Sequence, residues 1–271
     1  MGVWEWYSAR MWKRNAFRRN RIWEMDPLLK IVEHRPWPLP GGPWIMKQIW
    51  HDLLFAHWPI ARDALRPLVP AQLELDSFEG QGWVGVIPFW MSGVRPRCVP
   101  AIPGLSRFAE LNVRTYVRFG RTPGVYFFSL DAANRAAVWA ARAFYHLPYF
   151  FANMRVEHSQ EWIEYSCCRV RSDAEFRGRY AAAGKATHPV SGSIEHFLTE
   201  RYCLFTVYGN RVYRCDIHHP PWPLQQARAE IRHNTMAQAS GISLPSTPPL
   251  LHYAARQEVL VWPLHRAQNK A

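Results

Sequence analysis

Residues 110–132 read ELNVRTYVRFGRTPGVYFFSLDA. Val113, Thr115, Val117 and Phe119 alternate with Asn112, Arg114, Tyr116 and Arg118. That period of two belongs to a strand whose side chains point to opposite faces in turn. GRTPG breaks the alternation and GVYFFSLDA resumes an apolar, aromatic run, so the whole stretch predicts a β-hairpin.

The same grammar extends in both directions. Upstream, ARDALRPLVP (61–70) reads as a short helix closed by Pro67 and Pro70, and QLELDSFEGQGWVGVIPFWM (72–91) as two strands around a Gly-rich turn. Downstream, NRAAVWAARAFYH (134–146) has helical spacing at Ala137, Val138, Ala141 and Phe144/Tyr145, and it stops before Pro148. MRVEHSQEWIEYSCCRVRS (154–172) and RYCLFTVYGNRVYRCDIHH (201–219) are two further hairpins, the second turning at Gly209–Asn210. SGSIEHFLTE (191–200) opens with serines suited to capping a short helix, and LHYAARQEVLVWPL (251–264) is a last strand. No βαβ alternation and no internal repeat appears. The expected fold is therefore mainly antiparallel β with a few short helices, an α+β protein built on a barrel or coiled sandwich. Polar residues on the inward face of such strands would give it a pocket.

Composition sets the frame. A chain of 271 residues with 48% hydrophobic and 14% aromatic content supports one large, well-filled domain. No run of about 18 apolar residues offers a transmembrane helix. The first residues carry Trp, Glu and Arg where an export signal needs an apolar stretch. The five cysteines form no CxxC pair, and a reducing cytoplasm is the expected setting. The net charge of +12 is spread along the chain rather than gathered in one block. Of 33 basic residues only Lys13, Lys30, Lys47, Lys185 and Lys270 are lysines, which leaves few candidates for amine chemistry. Residues 1–24 mix aromatics with six basic residues, and PWPLPGGP (36–43) follows as a stiff linker. We therefore expect a basic-aromatic extension over 1–35 and a single domain over 36–271. The extension offers one reading of function, contact with nucleic acid or a membrane surface. Without an RNP-like aromatic motif or recognition helix, nucleic acid is not an expected partner.

Phosphate loops, a GxSxG elbow and HExxH are all absent. CDIHHPP (215–221) invites a metal reading, but a strand would put Cys215, Ile217 and His219 on one face and Asp216 and His218 on the other, with no second cluster behind either. Neither a metal nor a cofactor is expected. Glu110 is more informative. It opens a strand among apolar neighbours, where it is either a surface carboxylate paired with Arg107 or Arg114 or a pocket carboxylate with a raised pKa.

The blocks DALRPLVPAQLELDSFEGQGWVGVIPF, ELNVRTYVR, GVYFFSLDA, ARAFYHLPYF, SIEHFLTERYCLF, RVYRCDIHHPPWPLQ and PLLHYAARQEVLVW, in this order, resemble the bacterial YqjF-like family, the domain of unknown function DUF2071. The resemblance runs from about Arg35 to Leu264. That family in turn resembles the acetoacetate decarboxylases, which implies their β-barrel or cone with a few short helices. It also implies a pocket glutamate at Glu110 and, after the helix and its proline, two lysine positions occupied here by Tyr149 and Phe150. In the decarboxylases the first lysine forms a Schiff base and the second lowers its pKa. A phenol and a phenyl ring cannot do this, so the resemblance carries architecture and not lysine chemistry. His51 falls near a pocket arginine of those relatives, and their large assemblies imply a homo-oligomer.

The expected site therefore centres on Glu110 and Tyr149 as candidate catalytic residues. His51, Asn112, Arg114, Tyr116, Phe128, Phe150 and Asn153 are the candidate ligand contacts. Two functions follow: binding of a small organic molecule, or Schiff-base-independent lyase, isomerase or hydrolase chemistry with Glu110 as general acid or base and Tyr149 as donor.

Overall fold

Residues 110–132 form the expected hairpin, strands β4 (Phe108–Phe119) and β5 (Thr122–Ala132), paired antiparallel from Phe119↔Thr122 to Glu110↔Ala132. Two residues, Gly120 and Arg121, connect them, and Gly120 has φ +58°, the left-handed conformation a tight hairpin needs at its first loop position. In this computed structural model, which describes residues 26–268, every other strand joins the same sheet.

Upstream lie β1 (Met46–Ile60), β2 (Glu74–Leu75) and β3 (Gly82–Pro96). Downstream come β6 (Tyr149–His158), β7 (Ile163–Arg169), β8 (Glu175–Thr187), β9 (Cys203–Tyr208), β10 (Arg211–His218), β11 (Leu224–Asn234), β12 (Leu250–Val261) and β13 (His265–Arg266). The sheet order is β13-β10-β9-β5-β6-β7-β8-β11-β12-β1-β3-β4-β2, with further pairings β10–β12 and β4–β5. All pairs are antiparallel except β5–β6 and β5–β9, so the sheet is mixed. Strands β8 and β11, the first of which carries Lys185, are not among the elements expected from the sequence. Both strands alternate largely polar residues over a half-exposed surface, which leaves little apolar signal.

The extra pairings close the sheet on itself twice. Strands β12, β1, β3, β4 and β5 form a shared wall. Strands β9 and β10 complete one ring from it, and β6, β7, β8 and β11 complete a second. Each shared strand serves both rings through its two faces. Leu111, Val113 and Val117 of β4 enter the main core with Leu54, Val86, Phe176 and Tyr180, while Glu110, Asn112 and Arg114 face the interior of the smaller ring.

Short helices cover the ends of that smaller ring. The helix Arg135–Tyr145 starts at Asn134, whose side chain accepts a hydrogen bond from the Ala137 backbone, and ends at His146 in a left-handed conformation. The helix Ile194–Thr199 is capped by Ser193, as its serines predict. Residues 26–35, grouped in sequence with the extension, pack on the body. Leu28 is buried with Trp44, Leu260 and Trp262, and Arg35 donates to the Ile217 carbonyl at 2.9 Å. The basic-aromatic stretch 1–24 lies outside the described residues. Among the described residues no helix is long and apolar enough to cross a membrane.

Candidate functional site

Inside the smaller ring lies a cavity of about 370 Å³, within the roughly 300–1,000 Å³ typical of small-molecule sites. Its walls are largely apolar and include Trp50, Leu53, Ile87, Phe89, Phe127 and Trp222. The helix Arg135–Tyr145 covers it with Ala136, Ala137, Ala140 and Ala141, side chains too small to fill the space beneath.

Strand β4 supplies the polar groups. Its pleat places Glu110, Asn112 and Arg114 on one face, roughly 7 Å apart from one to the next. Glu110 is 4% exposed, and its Oε2 accepts a hydrogen bond from the Tyr149 hydroxyl at 2.8 Å. Among the described residues no cation pairs with it. Burial pushes its carboxyl up to about 8, against the downward pull of the Tyr149 bond and with a further rise from Asp131. Burial, reinforced by Glu110, likewise holds the Tyr149 phenol well above its ordinary value. The pair therefore stands with both protons in place at neutral pH. The sequence alternative of a surface carboxylate paired with Arg107 or Arg114 is not what forms.

Asn112 is 5% exposed and its Oδ1 has no hydrogen-bond partner. Arg114 donates through Nη2 to the Leu198 carbonyl at 3.2 Å, its Nε is unpartnered, and no carboxylate among the described residues pairs with it. Buried polar atoms are rarely left without partners, which sets these two cavity-lining residues apart. Arg201, by contrast, is committed: it bonds Asp76 at 2.7 Å and the Phe197 carbonyl at 2.7 Å.

The other expected contacts lie elsewhere, each for a local reason. His51 stacks on Trp90 at 4.0 Å and bonds Ser92 Oγ at 2.7 Å, on the face of β1 turned away from the cavity. Met46, Gln48 and Trp50 face the cavity, so His51 faces away, and the left-handed Asp52 (φ +52°) then restores Leu53 to the inside. Tyr116 keeps the face of Arg114 but lies beyond the cavity, fully buried and sharing a 2.6 Å hydrogen bond with His57 Nε2. Phe128 is the extra residue of a β-bulge, since Val113 pairs with Ser129 and Arg114 with Phe127. That bulge sends Phe127 and Leu130 inward and Phe128 into the main core. Phe150 follows Tyr149 on a strand and so takes the opposite face, under the Arg169 guanidinium at 3.9 Å from its ring centre. Asn153 is exposed farther along β6.

Arg201, His219, Trp222 and the alanine face of the helix were not anticipated. CDIHHPP (215–221), the stretch that invites a metal reading, instead walls the cavity with Cys215, Ile217 and His219, beside Trp222. Among the described residues no group of three or more His, Cys, Asp or Glu side chains could hold a metal ion. Cys215 lines the cavity, but burial raises its thiol pKa, so it is not a ready nucleophile. Among the described residues no lysine lines the cavity: Lys30 and Lys185 are exposed, and Lys47 of β1 bonds Asp26 and Glu258 at 2.9 and 2.8 Å.

This double-closed sheet is the fold of the acetoacetate decarboxylase-like proteins. The acetoacetate decarboxylase of Legionella pneumophila superposes with a TM-score of 0.60 at 12% identity, covering 89% of this chain and 95% of that one. The enduracididine biosynthesis enzyme MppR complexed with pyruvate gives 0.59 at 9% identity, over 88% and 95%. The acetoacetate decarboxylase-like enzyme from Sphingomonas wittichii RW1 gives 0.56 at 11%, over 87% and 98%. At these identities the likeness establishes the fold alone. Sequence places the chain more closely. The model of the DUF2071 family, an uncharacterized conserved protein, matches residues 47–258, and the uncharacterized protein YqjF of Bacillus subtilis (strain 168) is 49% identical over 229 residues, 84% of this chain and 95% of the relative. The chain belongs to the DUF2071 family.

Proposed function

We propose that the cavity binds a small organic molecule whose anionic or carbonyl oxygen is held by Arg114 and Asn112, and whose other end meets Glu110 and Tyr149. The observation that carries this reading is that two residues lining a largely apolar cavity, Asn112 and Arg114, each keep a buried polar atom, Oδ1 and Nε, without a partner. A bare guanidinium in such surroundings favours an anion, because it has no carboxylate of its own to neutralise it. MppR, a protein of the same fold, is known in complex with pyruvate, a molecule of this size and charge.

A second reading rests on Glu110. A carboxyl with a pKa near 8, bonded to a neutral phenol, is matched to proton transfer at physiological pH, so the same site is suited to lyase, isomerase or hydrolase chemistry without an iminium. The lining residues supply no primary amine for the lysine route. The five free cysteines support a reducing cytoplasm as the working compartment.

Native mass spectrometry of protein purified gently from its host, followed by thermal-shift titration with a panel of small carboxylates including pyruvate, tests this. Binding by the wild type that Arg114→Met weakens at least about tenfold is expected, since it removes a cavity charge that no carboxylate among the described residues pairs. An apo mass together with no response to any carboxylate in either protein refutes the reading. Turnover that Glu110→Gln abolishes while binding persists selects the enzyme over the carrier.

A further inference from the structure

We propose that the end of the molecule bearing the helix Arg135–Tyr145 docks on an anionic membrane surface. This face does not depend on what the cavity binds. The helix turns its alanines inward over the cavity and leaves Trp139 and Phe144 in water, 67% and 65% exposed, with their rings 6.0 Å apart edge to face. At the helix start, the Asn134 side chain donates to the Leu105 carbonyl at 2.9 Å, which brings in the half-exposed Ile102 and Leu105. At its end, the His146 ring stacks on Tyr208 at 4.3 Å, and Tyr208 is 62% exposed. Among the described residues, every strongly exposed large aromatic side chain lies along this one edge.

Charge identifies the partner. The segments that meet at this helix, residues 91–109, 132–151 and 206–213, contain no Asp or Glu. Arg97, Arg107, Arg135 and Arg142 lie on these segments, and none is in an ion pair among the described residues; Arg135 and Arg142 instead sit over the Phe151 and Phe150 rings at 4.5 and 5.6 Å. Aromatic rings interleaved with unpaired arginines match the headgroup region of an anionic bilayer, where the rings enter the interface and the guanidinium groups meet phosphates. A second copy of the chain would bring the same unpaired cations face to face, which opposes self-association through this surface.

The test is flotation of the full chain with phosphatidylcholine vesicles, with and without phosphatidylglycerol. The wild type is expected to float only with the anionic vesicles and to be released as salt rises. Trp139→Ser/Phe144→Ser, and separately Tyr208→Ser on a different element, are expected to weaken binding, the double variant by about tenfold. Circular dichroism and melting confirm that each variant folds. Undiminished binding by both variants would assign the attraction to residues 1–24 and overturn the proposal. So would absence of vesicle binding, or a wild-type dimer that the double variant dissolves.

Discussion

Glu110 occupies a position where its charged form is disfavoured: it is buried, paired with no cation among the described residues, and bonded to a phenol. In the folded protein it keeps its proton up to about pH 8, whereas an unfolded glutamate releases it near about 4.3. Between those values folding takes up a proton, so this group lowers stability as pH rises, by at most about 1.4 kcal/mol per pH unit. Above about pH 8 both states are ionised and the slope vanishes. Glu110→Gln removes the titration. Urea unfolding at pH 5 and pH 8.5 is expected to show the variant gaining on the wild type by on the order of a few kcal/mol at the higher pH. Parallel pH profiles for the two proteins would mean that the carboxyl is solvated in the folded state.

At the scale of elements, the spacing of Glu110, Asn112 and Arg114 was legible because a regular strand repeats every two residues. The same rule failed where the strand is irregular. A bulge at Phe128 leaves no mark in the sequence, since VYFFSL reads equally well with either phenylalanine inward, and only pairing against β4 selects Phe127. On β6, alternation alone shows that Tyr149 and Phe150 cannot both face the cavity. The helix Arg135–Tyr145 shows its apolar spacing openly, yet Phe144 on that pattern is exposed while Ala137, Ala141 and Tyr145 line the cavity. Its small inward side chains are what keep the cavity open. Ala141→Leu is expected to fill that space, weakening the binding of a small carboxylate at least about tenfold while changing stability by less than about 1.5 kcal/mol. An equal loss of stability and binding would make the helix a core element rather than a cover.

Across the whole molecule, the two rings part at β5, which pairs in parallel with both β6 and β9. Gly124 sits at the β9 seam: a Cβ there would lie 2.7 Å from Phe205 Cε2 and 2.9 Å from the Cys203 carbonyl oxygen. Gly124→Ala is therefore expected to cost about 1–3 kcal/mol and to lower the melting temperature by several degrees. Gly41→Ala, where nothing lies within 4 Å, is the matched control and should melt as the wild type does. Equal melting of both variants would mean that the seam yields.

By itself the sequence determined the class of fold, the hairpin at its centre and the serine-capped helix Ile194–Thr199. These follow from local periodicity, capping chemistry and family resemblance, each contained in contiguous residues. Tertiary structure alone decided which face of each strand became the cavity, because bulges at Asp52 and Phe128 reset the alternation and are defined only by the partner strand. It alone joined His219, Trp222 and Arg201 to the site, since closure of β10 on β12 brings together residues far apart in the chain. And it alone left Asn112 Oδ1 and Arg114 Nε without partners, a property of their surroundings that no single stretch of sequence contains.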